Sequence, residues 1–164
     1  IRETVAEEPF KKSTPLEKSY MGLWLNKKGI AFTDLFTKWH WHSSTFKSFV
    51  GTYGYMNVSS SAFYYWAILA VYLALCFFLF KGEEKELMAI TFVFCCLAVA
   101  ASLYRTWTFD FQAQGRYLFT IVPMISFLVA MTKNLSKYFQ ISMLIALYLS
   151  LYSFFFYGIK GLSV

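Results

Sequence analysis

Two long apolar runs are joined by Arg105-Thr-Trp-Thr-Phe-Asp-Phe-Gln-Ala-Gln-Gly-Arg-Tyr-Leu-Phe119, a segment that carries isolated charges and amides. The run before it covers residues 87–104, and the run after it covers residues 117–132. Apolar runs of about this length are expected to form helices that cross a membrane. The polar segment is therefore expected at one membrane surface, and any site in this chain is expected there.

The composition is that of an integral membrane protein. Hydrophobic residues make up 58% of the 164 residues and charged residues only 15%, whereas soluble domains average about 25% charged residues. The net charge is +6, but most basic residues flank apolar runs, where anionic lipid headgroups account for them. They do not form the clustered footprint that nucleic-acid binding needs. We expect membrane lipids, and no nucleic acid, as partners.

Four apolar runs predict an all-α integral membrane fold with about four transmembrane helices, at residues 61–80, 87–104, 117–132 and 138–157. Helices are expected because every backbone polar group inside lipid must be paired within its own segment. Small residues recur at four-residue spacing, which either indicates faces where helices pack or arises by chance; they are Ala70, Ala74, Ala98, Ser102, Ser142, Ala146 and Ser150. Residues 61–164 are thus predicted to form one transmembrane region.

Residues 1–60 are predicted to be an extramembrane and interfacial segment, because they combine many aromatic residues with scattered charges. The apolar residues Phe32, Leu35, Phe36 and Trp39 follow the i, i+3, i+4, i+7 spacing of an amphipathic helix. This helix is expected to lie in the membrane interface. The chain starts at Ile1 and its first apolar run begins near residue 61, so we expect a piece of a longer protein without a signal peptide.

The cysteine and histidine residues give little support for a metal site or a cofactor. Cys76, Cys95 and Cys96 fall inside apolar runs, where they are expected as small buried apolar residues. His40 and His42 would share one side of a strand, but no third ligand lies at a recognisable distance. We therefore predict neither a metal site nor a cofactor.

Orientation follows from the basic residues of the short loops. The loops at 81–86 and 133–137 carry two lysines each, whereas the single short loop on the other side has Arg105 and Arg116. Positively charged short loops favour the cytoplasm. Residues 1–60 and the loop 105–116 are therefore expected on the outer face.

Polar residues alternate with apolar ones along the loop, at Asp110, Gln112, Gln114 and Arg116. In an extended segment this period of two places all four on one side. Asp110 could orient a cation or act as a base, the amides could bind hydroxyls, and Arg116 could pair with a phosphate. Such a set suits a lipid-linked sugar.

A purely structural interpretation of the same charges is equally open. Arg105 and Arg116 would anchor two helix ends at headgroup level, with Asp110 as their counter-ion. In the ligand-binding interpretation, Gly115 would allow close backbone approach just before a helix start, where free N–H groups also favour an anion. Pro123 removes the hydrogen bond to the Phe119 carbonyl and predicts a kink or a short irregular helix start.

Two segments carry a resemblance to a known family. Gln114-Gly-Arg-Tyr117, followed by Pro123, resembles the Gln-Gly-Arg-Tyr motif of a family of uncharacterised polytopic bacterial membrane proteins, a domain of unknown function. The segment Ser44-Thr-Phe-Lys-Ser-Phe-Val-Gly-Thr-Tyr-Gly-Tyr-Met-Asn-Val58 looks like the aromatic and glycine segment that precedes a span in the same family. That family is similar to the GT-C membrane glycosyltransferases, and the resemblance covers residues 40–130.

The resemblance implies the C-terminal membrane portion of an enzyme that takes sugars from polyprenyl-phosphate carriers at the outer face of the bacterial inner membrane. In GT-C enzymes the catalytic acid lies in a first outer loop near the N-terminus, so no catalytic residue is assigned in this chain. Whether the chain is an enzyme by itself stays open. The candidate substrate-binding residues are Arg105, Asp110, Gln112, Gln114, Arg116 and Tyr117.

Two other functions are weighed beside this one. The first is a non-catalytic membrane subunit or scaffold that binds another membrane protein through its aromatic region and small-residue faces. The second, a small transporter, is weaker because no span carries a charged residue at mid-depth.

Overall fold

A computed structural model describes residues 7–11, 13–54, 56–82, 84–132 and 134–162. The strands β1 (Thr52–Tyr53) and β2 (Val58–Ser59) form an antiparallel pair. Two 3₁₀ turns lie at Glu8–Phe10 and Gly115–Leu118, and a π-helical segment lies at Phe154–Ile159. The α-helices are α1 (Asp34–Thr37), α2 (Trp41–Val50), α3 (Ala62–Phe80), α4 (Lys85–Thr108), α5 (Ile121–Met131), α6 (Lys137–Ser153) and α7 (Lys160–Leu162).

Among the described residues, three helices are long and apolar enough to cross a membrane: α3, α4 and the continuous helix Lys137–Ile159. This confirms the expected helical membrane class. Ser61 caps α3 by accepting the Tyr64 N–H at 3.2 Å, and Ser136 caps α6 by accepting the Tyr138 N–H at 3.2 Å. Serine is favoured at these positions because its hydroxyl satisfies a backbone donor that has no partner within the helix.

The third predicted span is shorter than expected. Its regular helix α5 has 11 residues, a length of about 16 Å, whereas the hydrocarbon core is about 30 Å thick. Pro123 is the physical reason, because it cannot donate to the Phe119 carbonyl and so excludes a regular α-helix through residues 117–123. The helix begins at Ile121 instead, which places the proline in the first turn, where its missing N–H costs nothing.

The helices form two pairs, with α3 packed along α6 and α4 packed along α5. At one end, the ring of Phe78 stacks on that of Tyr138 with centroids 5.9 Å apart. At the same end, Gly82 lies beside Thr132: a Cβ atom added to this glycine would be 3.6 Å from Thr132 Cγ2. Residues 115–131 therefore start at the opposite end of the molecule and finish beside the loop that follows α3, although α5 itself is short.

The small residues at four-residue spacing were predicted to mark faces where helices pack, and only some of them do. Ala146 of α6 packs against the buried cluster of α3 that contains Tyr64, Tyr65 and Ile68. Ala70 of α3 is exposed. The cysteines also differ from expectation, because Cys76 and Cys96 are exposed and Cys95 is half-buried. These side chains lie on helix faces that the chain itself leaves uncovered.

The N-terminal segment folds onto the end of α4. Its residues 22–26 run antiparallel to residues 107–111, with the Trp24 N–H donating to the Phe109 carbonyl at 2.9 Å and the Phe111 N–H donating to the Gly22 carbonyl at 2.7 Å. A buried cluster next to this pairing joins the N-terminal segment, α2 and the loop. Its buried members are Leu25, Leu35, Trp41 and Ala113, and Val99, Leu103 and Trp107 of α4 pack against them.

The amphipathic helix expected at residues 32–39 is reduced to the single turn α1. Leu35 is fully buried, and Phe36 and Trp39 pack against the same cluster as Leu35. The turn ends at Thr37, and His40, with φ 48°, is the N-cap residue from which α2 begins. Three of the four residues of the expected apolar face are thus packed against protein, whereas Phe32 is 43% exposed. The same periodicity serves a protein core and a lipid surface equally well.

Replacing Trp41 with phenylalanine should destabilise the junction between α2 and α4. The Trp41 side chain is 4% exposed, and its Nε1–H donates to Thr106 Oγ1 at 3.3 Å. Loss of this hydrogen bond costs about 1 kcal/mol, or about 2–4 °C in the melting temperature. Trp66→Phe is the matched control, because Trp66 is 72% exposed. An equal fall in melting temperature for Trp41→Phe and Trp66→Phe would contradict the proposed packing.

Candidate functional site

The loop that joins α4 to α5 pairs with the N-terminal segment at Asp110 and Phe111 and then turns at Ala113, where the Gln114 N–H donates to the Gln112 carbonyl at 2.8 Å. A 3₁₀ turn, Gly115–Leu118, follows, so Arg116 leaves the alternation predicted for residues 110–116. Gln112 Nε2 donates to Asp110 Oδ2, and the Tyr117 hydroxyl donates to Gln112 Oε1. Asp110, Gln112 and Tyr117 are therefore joined in one hydrogen-bonded chain that holds the turn against the extended segment.

Asp110 is not the counter-ion of the two arginines. Within the described ranges, the ion pairs are Lys11 with Glu8 and Lys38 with Asp34. The Asp110 carboxylate instead accepts from the Gln112 amide. The alternative in which Asp110 pairs with Arg105 and Arg116 is therefore not seen as an ion pair among the described residues, and the carboxylate is held by the Gln112 amide instead.

The two arginines have different surroundings. Arg105 lies in the last turn of α4 and is exposed. Arg116 is also exposed, and its guanidinium carbon lies 5.3 Å from the centroid of the Tyr117 ring. Of the two, Arg116 lines a cavity of about 220 Å³ between α2, the β1–β2 hairpin and the loop. We refer to this as the Arg116 cavity; its lining residues are Ser48, Thr52, Gly54, Met56, Gln114, Gly115 and Arg116.

The structure brings together only some of the predicted site residues. Gln114 and Arg116 line the Arg116 cavity, whereas Arg105, Asp110, Gln112 and Tyr117 do not. The sequence analysis missed the hydroxyls of Ser48 and Thr52. Both lie in the aromatic and glycine segment at residues 44–58, but nothing in the local pattern shows that this segment touches the Gln-Gly-Arg-Tyr turn.

Gly115 explains how the turn is held. Its N–H donates to Ser48 Oγ at 2.6 Å. A Cβ at this position would lie 2.2 Å from Phe49 Cα and 2.3 Å from Phe49 N. Only glycine permits this approach of backbone to backbone. Beside it, the rings of Phe49 and Phe119 meet edge to face with centroids 5.6 Å apart. Helix α2 thus fixes the position of Arg116.

A buried hydroxyl network holds the other wall of the Arg116 cavity. Ser153, at the end of α6, is fully buried, and its Oγ lies 2.6 Å from Ser60 Oγ and 2.7 Å from the Tyr53 hydroxyl. Ser60 Oγ lies 2.9 Å from the Gly51 carbonyl oxygen, to which the Tyr65 hydroxyl also donates at 2.9 Å. The hairpin that carries Thr52 and Gly54 is therefore tied to α3 and α6.

The two histidines lie apart from this site. His42 stacks on Phe36, with ring centroids 6.2 Å apart. His40 occupies the left-handed turn before α2. Within the part of the chain that the structure describes, no three His, Cys, Asp or Glu side chains are grouped as metal ligands would be.

No family model, curated protein or solved structure matches this chain.

Proposed function

We propose that this chain is the C-terminal membrane portion of a GT-C-like glycosyltransferase that uses a polyprenyl-phosphate-linked sugar in cell-envelope glycan assembly. The observation that carries the proposal is the Arg116 guanidinium, exposed at a cavity whose walls are fixed by α2 and the hairpin. A planar guanidinium pairs with a phosphate through two parallel hydrogen bonds. The proposal also rests on the resemblance carried by Gln114-Gly-Arg-Tyr117.

The roles of the predicted site residues follow from their places. Arg116 would bind the phosphate, and Gln114 and Thr52 would bind sugar hydroxyls. The volume of about 220 Å³ is below the roughly 300–1,000 Å³ of pockets for drug-sized ligands, so the cavity suits a phosphate and part of a sugar. The polyprenyl chain would lie outside it, along the apolar helices. Asp110 and Gln112, bonded to one another, would position the turn rather than touch the ligand.

In this proposal, residues 115–131 form a fourth crossing of the inner membrane, and the loop lies on the outer face. Irregular backbone is tolerated at membrane depth where protein buries it. The 3₁₀ turn at Gly115–Leu118 fits that requirement at its start, where Gly115 is buried against α2. The lysines at residues 81 and 85, at the other end of the helices, favour a cytoplasmic location for that end.

Replacing Arg116 with alanine should reduce sugar transfer by about 10- to 100-fold, because a hydrogen bond to a charged group contributes about 1.5–3 kcal/mol. The measurement is transfer of labelled sugar from a polyprenyl-phosphate donor in membranes that hold the full-length protein. Arg116→Lys should retain part of the activity, since it keeps the charge but loses the paired geometry.

Lys27→Ala is the matched control for this experiment, because Lys27 is an exposed cation at the same end of the molecule, outside the Arg116 cavity. The abundance of each variant in the membrane is measured in parallel. Unchanged transfer by an Arg116→Ala protein at normal abundance would reject the assignment.

A non-catalytic subunit is the second candidate, and the uncovered apolar faces of the helices favour it. On α4, large apolar side chains in successive turns are more than half exposed, among them Ile90, Phe94 and Leu97. Such a face suits either lipid or a helix of another membrane protein. Co-purification of a stable partner, with no effect of Arg116 or Asp110 substitutions on cell-envelope glycan, would support this function over the enzymatic one.

A further inference from the structure

A second and larger cavity, of about 650 Å³, lies on the side of α2 away from the Arg116 cavity, and the two share no lining residue. We refer to it as the Lys47 cavity. Helix α2, the end of the hairpin and the first two turns of α3 form its walls. Its volume is within the range of roughly 300–1,000 Å³ that is typical of pockets for small organic ligands. Its lining includes a polar set and an apolar set of side chains, and the apolar residues Trp66 and Leu69 lie farther along α3 than Ala62.

The polar part carries positive charge without negative charge. Lys47 Nζ lies 5.8 Å from the centroid of the Tyr65 ring, and Ser43 and Ser59 supply hydroxyls nearby. None of the described residues that line this cavity is Asp or Glu. Among the residues that the structure describes, the ion pairs are Lys11 with Glu8 and Lys38 with Asp34, so Lys47 has no acidic partner there. This part of the cavity suits an anion.

The apolar part continues into the region of the membrane. Phe46, Trp66 and Leu69 line it, and the last two belong to α3, a helix long and apolar enough to cross a membrane. Trp66 is 72% exposed and lies in the second turn of that helix. Tryptophan at such a position favours the level of the lipid headgroups. The Lys47 cavity therefore extends from a cationic polar end to an apolar end along α3.

We infer that the Lys47 cavity binds an anionic phospholipid, with its phosphate at Lys47, Ser43 and Ser59 and an acyl chain along Trp66 and Leu69. A free phosphate would use the cation and hydroxyls but would leave the apolar wall uncovered. The Tyr64 N–H is taken by Ser61, but Ala62, the first residue of α3, lies on the cavity wall, and the positive end of the helix adds to the attraction for an anion there. This inference does not depend on the function proposed for the Arg116 cavity.

The test uses the full chain, purified in a neutral maltoside detergent and depleted of lipid. Dihexanoyl phosphatidic acid, dihexanoyl phosphatidylcholine and inorganic phosphate are titrated separately, and binding is measured by calorimetry. The phosphatidic acid should bind at least tenfold more tightly than either of the other two. Lys47→Glu should weaken its binding by about tenfold or more, since a charge-assisted contact is lost and repulsion is added.

Three further variants make the test specific. Lys27→Glu carries the same charge change at the same end of the molecule and should leave phosphatidic acid binding unchanged. Arg116→Ala alters the other cavity, which binds phosphate in the proposed function, and should leave unchanged the part of phosphatidic acid binding that Lys47→Glu removes. Leu69→Ser should weaken binding of phosphatidic acid but not of inorganic phosphate. If Lys47→Glu does not elute as a folded protein, Lys47→Gln removes the charge at nearly constant size.

The inference is overturned by any of three results. In the first, Lys47→Glu has no larger effect than Lys27→Glu. In the second, inorganic phosphate binds as tightly as phosphatidic acid, which would show that the apolar wall contributes nothing. In the third, Arg116→Ala abolishes phosphatidic acid binding, which would place the lipid in the other cavity. Loss of sugar transfer in Arg116→Ala, by contrast, bears only on the proposed enzymatic function.

Discussion

Replacing Gly115 with alanine is expected to lower the melting temperature of the protein by about 6–12 °C, a loss of roughly 3 kcal/mol. The added Cβ would lie 2.2 Å from Phe49 Cα and 2.3 Å from Phe49 N. Both of these are backbone atoms of α2, so no side-chain rotation can relieve the overlap. The turn must then move away from α2, and the hydrogen bond that the Gly115 N–H donates to Ser48 Oγ is lost. Sugar transfer should fall with it, because Arg116 is the next residue.

Gly29→Ala separates this effect from the ordinary cost of replacing glycine. Nothing lies within 4 Å of a Cβ at Gly29, but its φ of 77° is unfavourable for alanine. That strain costs about 1–2 kcal/mol, which is less than the overlap at Gly115. The melting temperature of both variants is measured in detergent, as the temperature at which the monodisperse elution peak is lost. A Gly115→Ala protein as stable as Gly29→Ala would show that the turn does not rest on α2.

Ser153→Ala is the second substitution with a large expected effect, a fall of about 4–8 °C in the melting temperature. Ser153 is fully buried, and its Oγ bonds to both Ser60 Oγ and the Tyr53 hydroxyl. Alanine leaves the Tyr53 hydroxyl without this partner and removes one contact of Ser60. Leaving a buried polar group unsatisfied costs about 1–3 kcal/mol, and about 2 kcal/mol corresponds to the stated fall for a chain of this size.

A double-mutant cycle tests the network itself. Tyr53→Phe and Ser153→Ala should each destabilise the protein, and the two losses should not add, because both remove the same hydrogen bond. Ser142→Ala is the control in the same helix, since Ser142 Oγ donates to the Tyr138 carbonyl of its own preceding turn at 2.8 Å. Strict additivity of the first two substitutions would mean that the hairpin is not held by Ser153.

The candidate site was predictable only in its local part. The Gln-Gly-Arg-Tyr turn and the polar loop stand out from their apolar neighbours, and Gln114 and Arg116 do line a cavity. The partners of the turn could not be predicted, because Ser48 is 67 residues away from Gly115 in the chain. For Asp110 the sequence left open a ligand-binding role and a counter-ion role, and its hydrogen bond from the Gln112 amide could not be chosen from the sequence alone.

Hydropathy by itself determined that the chain is helical and suited to a membrane, and it located the helices α3, α4 and α6, because a long apolar run has few alternatives to a helix. Pro123 in the sequence already indicated the irregular start of α5. Only the tertiary structure decided which surfaces meet: α3 with α6, the apolar face around Leu35 with α4, and Phe49 with Gly115. The physical reason is that periodicity identifies an apolar face but not what covers it, since lipid and protein satisfy that face equally well.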